Sequence, residues 1–326
     1  MSPRLAAFTL AAACTLTMAV RAEAQQVFES VGERALGMGG AFVAVADDPT
    51  AVHWNPAGLA AAGPYGMTIE WQRFQSGNQD GPQLPGPDRR KTQFGTAGTL
   101  PLAISYGTFQ TTGLVSGPAD DVVVQSLRVR HYGVTILQSV TQGLVVGGTF
   151  KYERGRPVQS SFPGRTAGDA LKAGEDVEGP THSAFDIDLG VMADMQYVRV
   201  GFTWRNLLAP TFGEIAVPAN TIQRTPRLGI AILPTHGLTL AIDLDLDTVD
   251  LRDGLRRMVA LGGEGRLGRR LALRTGIRWS LEGERRQVAA FGGSLMFREH
   301  LWLDGHYAQG RSDEDRELGF AMRAGF

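Results

Sequence analysis

From residue 64 onward, apolar and polar positions alternate with a period of two. In the run GLTLAIDLDLD, Leu238, Leu240, Ile242, Leu244 and Leu246 share one face, and Thr239, Ala241, Asp243, Asp245 and Asp247 share the other. Only an extended strand sorts the two sets in this way. The phase recurs at Phe185, Ile187, Leu189 and Val191 and again at Val198, Val200, Phe202 and Trp204. It predicts about fourteen strands, the first at 64–74 and the last at 316–326. The connections alternate in length. Residues 75–90, 111–120, 155–182, 208–223, 249–255, 281–285 and 310–315 read as long polar loops, whereas Val140-Thr141, Met195-Gln196 and Gly268 mark tight turns. An even strand number with long loops on one rim and short turns on the other is the layout of a bacterial outer-membrane barrel.

A soluble β-sandwich would also alternate, but it would bury the apolar face and expose the polar one. Two features favour the inverse. The apolar face carries almost no charge over about five alternate positions per strand, close to the height of a bilayer band. The chain also ends within a strand, with Leu318, Phe320, Met322, Ala324 and Phe326 in phase. An aromatic last residue, Phe326, resembles the signal read by the barrel assembly machinery. The fold class expected is therefore all-β, a transmembrane antiparallel β-barrel of about fourteen strands.

The N-terminus adds a compartment. Arg4 precedes an apolar run from Leu5 to Val20, and Ala22-Glu23-Ala24 supplies a small-x-small cleavage site. Residues 1–24 are expected to be a signal peptide, since the run is short of the roughly 20 residues needed to span a bilayer. The single cysteine, Cys14, lies inside it, so the mature chain has no disulfide and no thiolate chemistry. A formal net charge of −1 gives no electrostatic footprint for nucleic acid.

Between leader and first strand, residues 25–63 lack alternation and are rich in Gly and Ala. A barrel of fourteen strands is too wide for wall side chains to fill, so this segment is expected to lie in the lumen, ahead of a barrel spanning 64–326. A short helical turn is expected near Ala41 to Ala46. Asp47-Asp48 before Pro49 and Asn55 before Pro56 read as turns. GERALGMGGAFVAVADDPTAVHWNPAGLA resembles the N-terminal hatch signature of the FadL/TodX-type outer-membrane transport proteins and their shorter PorV/PorQ relatives. TPRLGIAI, LTLAIDLDL, LALRTGIRW and LGFAMRAGF resemble the PorV-like branch more loosely. The resemblance implies a fourteen-strand barrel with a luminal hatch. It places Gly37, Gly39, Gly40, Asp47, Asp48, Asn55, Pro56, Ala57 and Gly58 at hatch positions with a structural or gating role.

Candidate chemistry is sparse. GMGGAF lacks the GxGxxG spacing of a nucleotide site. The six histidines show no metal-ligand spacing, and no GxSxG elbow occurs. Asp304 and His306 share a strand face, but a pair of solvated luminal residues accounts for them without catalysis. No cofactor, metal or enzymatic activity is expected. Asp243, Asp245 and Asp247 are expected to form a luminal charge ladder with Arg266, Arg274 and Arg278. Tyr197, Trp279 and Tyr307 suit interfacial girdles, whereas the phase of Trp302 points it inward.

Two functions follow as expectations. One is hatch-gated passage of hydrophobic or amphipathic small molecules through the outer membrane. The other, like the PorV branch, is a non-transporting barrel that binds exported proteins or scaffolds a secretion complex. Either would have outer-membrane lipid and the barrel assembly machinery as partners, with both termini in the periplasm.

Overall fold

In the computed structural model, the described residues are 29–76, 88–115, 121–213, 220–235, 237–251, 254–283, 287–310 and 315–325. The expected leader and Phe326 lie outside them. The strands in chain order are β1 (Tyr65–Ser76), β2 (Asp88–Thr99), β3 (Leu102–Val115), β4 (Asp121–Thr141), β5 (Leu144–Pro163), β6 (His182–Asp194), β7 (Val198–Arg205) and β8 (Thr225–Thr235). They continue with β9 (Leu238–Asp245), β10 (Val249–Leu251), β11 (Gly254–Arg256), β12 (Met258–Leu267), β13 (Leu271–Ser280), β14 (Gln287–Arg298), β15 (Leu301–Gly310) and β16 (Arg316–Gly325). Fourteen of them close into one antiparallel barrel, sealed by β1 pairing with β16; β10 and β11 form a separate hairpin.

Alternation sets the faces as the sequence predicts. In β9, Leu240 and Ile242 point outward and are exposed, while Ala241, Asp243 and Asp245 are buried inside. In β16, Leu318, Phe320 and Met322 face outward. The apolar surface is thus on the outside and the polar surface within, the arrangement of a wall standing in lipid. No helix among the described residues is long and apolar enough to cross a membrane.

Of the connections read as loops, 249–255 holds the β10–β11 hairpin and two others begin as continued strand. β3 continues to Val115 and β5 to Pro163. Alternation fades there because both faces are covered. On the outer side, the helix α3 (Ala167–Glu175) packs Ala167, Ala170 and Leu171 against Leu114 and Val124. On the inner side, Leu127 and Val129 of β4 meet Phe212 and Ile222 of the β7–β8 connection. The β4–β5 turn falls at Gln142-Gly143, two residues beyond the expected place, with Gly143 at φ +79°.

The main hydrophobic core lies inside the barrel. Val31, Leu36, Met38, Phe42, Val43 and Trp54 cluster with the inward-facing Phe94, Phe109, Ala231, Ala241 and Ala260. The N-terminal segment contributing to it holds the helices α1 (Glu33–Gly37) and α2 (Ala51–Trp54) and a 3-10 turn, Pro56–Ala61. The two helices were not predicted; the 3-10 turn begins where Asn55-Pro56 reads as a turn, and the turn expected near 41–46 also forms, closed by Ala46 N donating to Phe42 O at 2.8 Å.

Candidate functional site: the luminal contact of the N-terminal segment

Residues 29–62 run against the inner wall with almost no gap between backbones. Gly37 faces Gly292 of β14 so closely that a Cβ on Gly37 would stand 2.9 Å from the Gly292 Cα. A Cβ on Gly39 would stand 2.8 Å from Ile277 N in β13. The wall is small at the matching places. Gly147 of β5 meets Ala57, Gly190 of β6 meets Pro56, and Gly201 and Gly229 of β7 and β8 meet Val43 and Ala44; Gly262 and Gly276 of β12 and β13 meet Met38. Gly147 pairs across the ladder with Gly190, Gly201 with Gly229, and Gly262 with Gly276. Paired glycines pave a flat track where a backbone can lie on the wall.

Glycines of the motif shape the segment itself. Gly39 and Gly40 hold φ +69° and +90°, the left-handed region that a side chain disfavours. A Cβ on Gly58 would collide with the Ala46 carbonyl oxygen, so Gly58 lets the 3-10 turn fold under the preceding strap. Pro56 opens that turn, where a missing N–H costs nothing. Asn55 precedes it: its Nδ2 donates to Val43 O and to Val191 O of β6, both at 3.0 Å, and its Oδ1 accepts from Ala57 N.

Charges tie the segment down at four places. Arg34 donates to Glu264 of β12 through two nitrogens, at 2.6 and 2.8 Å, and also binds Asp47 and Asp48 of its own segment. Asp48 in turn accepts from Thr50 N at 2.9 Å, which makes the expected turn before Pro49. Asp47 reaches Arg199 of β7 at 3.3 Å. Glu29 pairs with Arg227 at 2.5 Å and Arg256 at 2.8 Å. Burial alone would raise the Glu29 carboxyl, but Arg256, Arg227 and Arg278 overcome it and hold the group below its usual range. Glu33 contacts His306 of β15, and Gly32 N donates to both oxygens of Glu70 in β1. For Glu33, burial prevails over His306, and its carboxyl is pushed up.

The expected luminal ladder is arranged differently. Asp243 accepts from Phe42 N and Val43 N, both at 2.8 Å, so it holds segment backbone instead of an arginine. Asp245 pairs with Arg227 at 2.6 Å. Asp247 lies past the end of β9, exposed, and accepts from Thr248 N. Arg274 binds Glu264 at 2.6 Å, Arg278 binds Glu317 at 2.6 Å, and Arg266 is half exposed near a tight turn, 3.5 Å from Glu264. Among the described residues, none of the three aspartates forms an ion pair or hydrogen bond with any of the three arginines. The reason is register: β9, β12 and β13 are neighbouring strands, but Asp243 stands opposite Ala260 and Arg274 opposite Glu264, so each inward charge finds its partner on an adjacent strand or on the segment. Asp304 and His306 likewise part company, Asp304 to Arg323 at 2.9 Å and His306 to Glu33 and Glu317.

The sequence reading missed a second buried cluster. Lys151 of β5 places Nζ 2.5 Å from Asp186 and 2.7 Å from Asp188, both on β6, and donates to Asn206 Oδ1 at 2.7 Å. The register opposing Lys151 to Asp186 carries the signal, but register is not readable from one strand. Above this cluster, Phe212 of the β7–β8 connection is fully buried against Gly155. Among the described residues, no group of His, Cys, Asp and Glu has the arrangement to hold a metal ion.

The fold has solved counterparts. The Ralstonia pickettii toluene transporter TbuX superposes with a TM-score of 0.63 at 14% identity, over 92% of this chain and 99% of that one. The CymD monoaromatic hydrocarbon channel gives 0.61 at 15% identity, over 91% and 98%. A Pseudomonas aeruginosa FadL homologue gives 0.58 at 12% identity, over 90% and 98%. At such identities the likeness establishes a shared fold. A family model described as F plasmid transfer operon, TraF, protein matches residues 119–245, less than half of the chain. No curated protein matches.

Proposed function

We propose that the protein is an outer-membrane channel for small hydrophobic or amphipathic molecules, gated by residues 29–62 acting as a luminal hatch. The observation that carries this reading is the glycine track. Side chains that interdigitate must be pulled apart before a plug can shift, whereas backbone lying on paired glycines such as Gly262 and Gly276 can slide once its ion pairs open. Asp47, Asp48 and Asn55 would then be latches, and Gly37, Gly39, Gly40, Pro56, Ala57 and Gly58 the shape that lets the hatch lie flat. The apolar outer belt fits placement in the outer membrane, and toluene is a reasonable probe because TbuX, whose fold is shared, carries that name.

The test is uptake of radiolabelled toluene by cells with and without the protein, assembly being checked by heat-modifiable migration. Faster uptake with the assembled barrel is expected, and more so when Asp47 and Asp48 are both changed to Asn. Equal uptake with a fully assembled barrel would sink the transport reading. The alternative is a PorV-like barrel that binds exported proteins without passing solute. The four ion-paired anchors of the segment favour it, because they suit a permanent seal as well as a gate. It requires an unchanged toluene rate together with co-purification of a secreted protein.

A further inference from the structure

The outer wall carries a feature that luminal gating does not use. Tyr106, Tyr132, Tyr152 and Phe185 stand side by side on β3, β4, β5 and β6, with successive ring centroids 5.2, 6.2 and 5.3 Å apart. All four are outward and exposed. Toward the tight turns, the outward positions beside them are the apolar Ile104, Val134 and Phe150. Next to the row the wall dips, because β2 presents only Gly95 and Ala97 between the larger side chains of β1 and β3. An apolar concavity of about 630 Å³ runs from this dip across to Phe185. An aromatic row above an apolar band marks the membrane interface, here on the side of the long connections.

One step further toward the long connections, the same face turns strongly basic. Arg130 of β4 stands directly opposite Arg154 of β5, and two residues on, Arg128 stands opposite Arg156. Like charges opposed on one sheet face repel. Arg130 and Arg154 are exposed, and neither has a hydrogen bond or ion pair with a described residue. Arg128 is partly engaged, donating to Glu175 O at 2.6 Å, and Arg156 lies 3.4 Å from Glu178, itself 89% exposed. Two stacked pairs of guanidiniums, three of the four without a counter-charge among the described residues, call for an anion from outside the chain.

We propose that this surface binds a phosphate-bearing lipid of the outer leaflet, with its headgroup on Arg130 and Arg154 and an acyl chain in the dip beside Gly95. A guanidinium fork matches phosphate oxygens in bidentate geometry. The aromatic row sets the height at which a headgroup would lie, and the apolar concavity begins at Tyr132 and Tyr152, the outward positions next to Arg130 and Arg154 on the same strands. A free phosphate would use the arginines and ignore the dip. An acidic soluble protein would have no access to the dip at membrane depth. The proposal is independent of whether solute passes through the lumen.

Full-length protein in detergent micelles, titrated with bisphosphorylated lipid A and with dioleoylphosphatidylcholine and read by native mass spectrometry, tests it. The wild type is expected to bind lipid A at least roughly tenfold more tightly than the zwitterionic lipid, the value of one charge-assisted hydrogen bond. Arg130→Gln with Arg154→Gln should remove that preference, and Arg130→Lys with Arg154→Lys should retain part of it. Gly95→Leu should weaken lipid A binding by filling the dip. It is tolerated by the wall, since a Cβ there meets its nearest atom at 3.6 Å. Lipid A binding that is equal in the wild type and the glutamine variant overturns the proposal. So does complete displacement of lipid A by inorganic phosphate alone, which would make the arginines a soluble-anion site. All variants sit on the outer surface, and heat-modifiable migration confirms their assembly before titration.

Discussion

Arg34 Nε donates to Glu264 Oε2 at 2.6 Å, joining helix α1 to a wall residue 230 positions further along the chain. Both side chains are almost fully buried; without Arg34, Glu264 keeps Arg274, but Asp48 is left as a buried carboxylate with no ion-pair partner among the described residues. Arg34→Ala should therefore free the segment at a cost of about 3–5 kcal/mol, the usual penalty for breaking one side of a buried pair. The barrel itself should persist, because its strand ladder does not involve Arg34. The expected outcome is protease cleavage within 29–62 in an assembled barrel that still shows heat-modifiable migration. A segment as resistant as the wild type would show that the other anchors suffice.

The glycine track makes a paired prediction. A Cβ on Gly276 would collide with the Met38 backbone, whereas a Cβ on Gly265 meets nothing within 4 Å. Gly276→Ala should displace the segment by overpacking, at about 1–3 kcal/mol, and raise single-channel conductance in a planar bilayer. Gly265→Ala should leave conductance at the wild-type level. If both variants conduct alike, close backbone approach is not what seats the segment.

The wall was legible in the sequence because its signal is local. Leu238 to Asp245 sort onto two faces by counting, and the structure keeps that sorting throughout β9. The candidate site was legible only in outline. GMGGAF and NPAGL announced a tightly packed segment, yet nothing near them named Gly262 or Gly276 as the surface it lies on. Those contacts depend on strand register and on how the segment threads the barrel, both non-local. The same limit misdirected the charges. Asp243 looked like a partner for arginine, but its oxygen accepts from Phe42 N and Val43 N, and backbone donors leave no mark in a sequence. Strand extensions at 111–115 and 155–163 were lost for a further reason: α3 and Phe212 cover both faces, and alternation needs one face in a different solvent.

Glu29 gives the segment a pH dependence with a definite sign. Its carboxyl is held below the ordinary 4.5, so folding favours the charged form. The stability it contributes is fully present above about pH 4.5 and is lost as the pH falls toward the folded value. Glu33 is shifted upward, so its ionised form is disfavoured in the fold and acid relieves that cost. Loosening by acid should thus begin only below about pH 4.5 and depend on Glu29. Conductance should stay flat from neutral pH to that point and rise beneath it. Glu29→Gln should already conduct more at neutral pH, with a weaker acid response. Identical pH profiles for variant and wild type would remove Glu29 from the anchors.

Asn55 is the sharpest single test of how the segment is held, because it joins three pieces of chain with one side chain. Its Nδ2 bridges Val43 O in the segment and Val191 O in β6, and its Oδ1 caps the turn that begins at Pro56. The residue is fully buried, so Asn55→Ala takes a donor from two carbonyls and an acceptor from one amide. Each unsatisfied group costs about 1–3 kcal/mol, enough together to unseat the end of the segment near Gly147 and Gly190. Asn55→Asp is the more informative change. It keeps the size and the Oδ1 acceptor that caps Ala57, but replaces the donor to two carbonyls with a buried negative charge. If the cap is what matters, the Asp variant should behave as wild type and the Ala variant should leak. If the bridge to β6 is what matters, both should leak, with the Asp variant conducting more because its second oxygen repels Val43 O and Val191 O. The bridge is expected to dominate, and a silent Asp variant in planar-bilayer recordings would refute it.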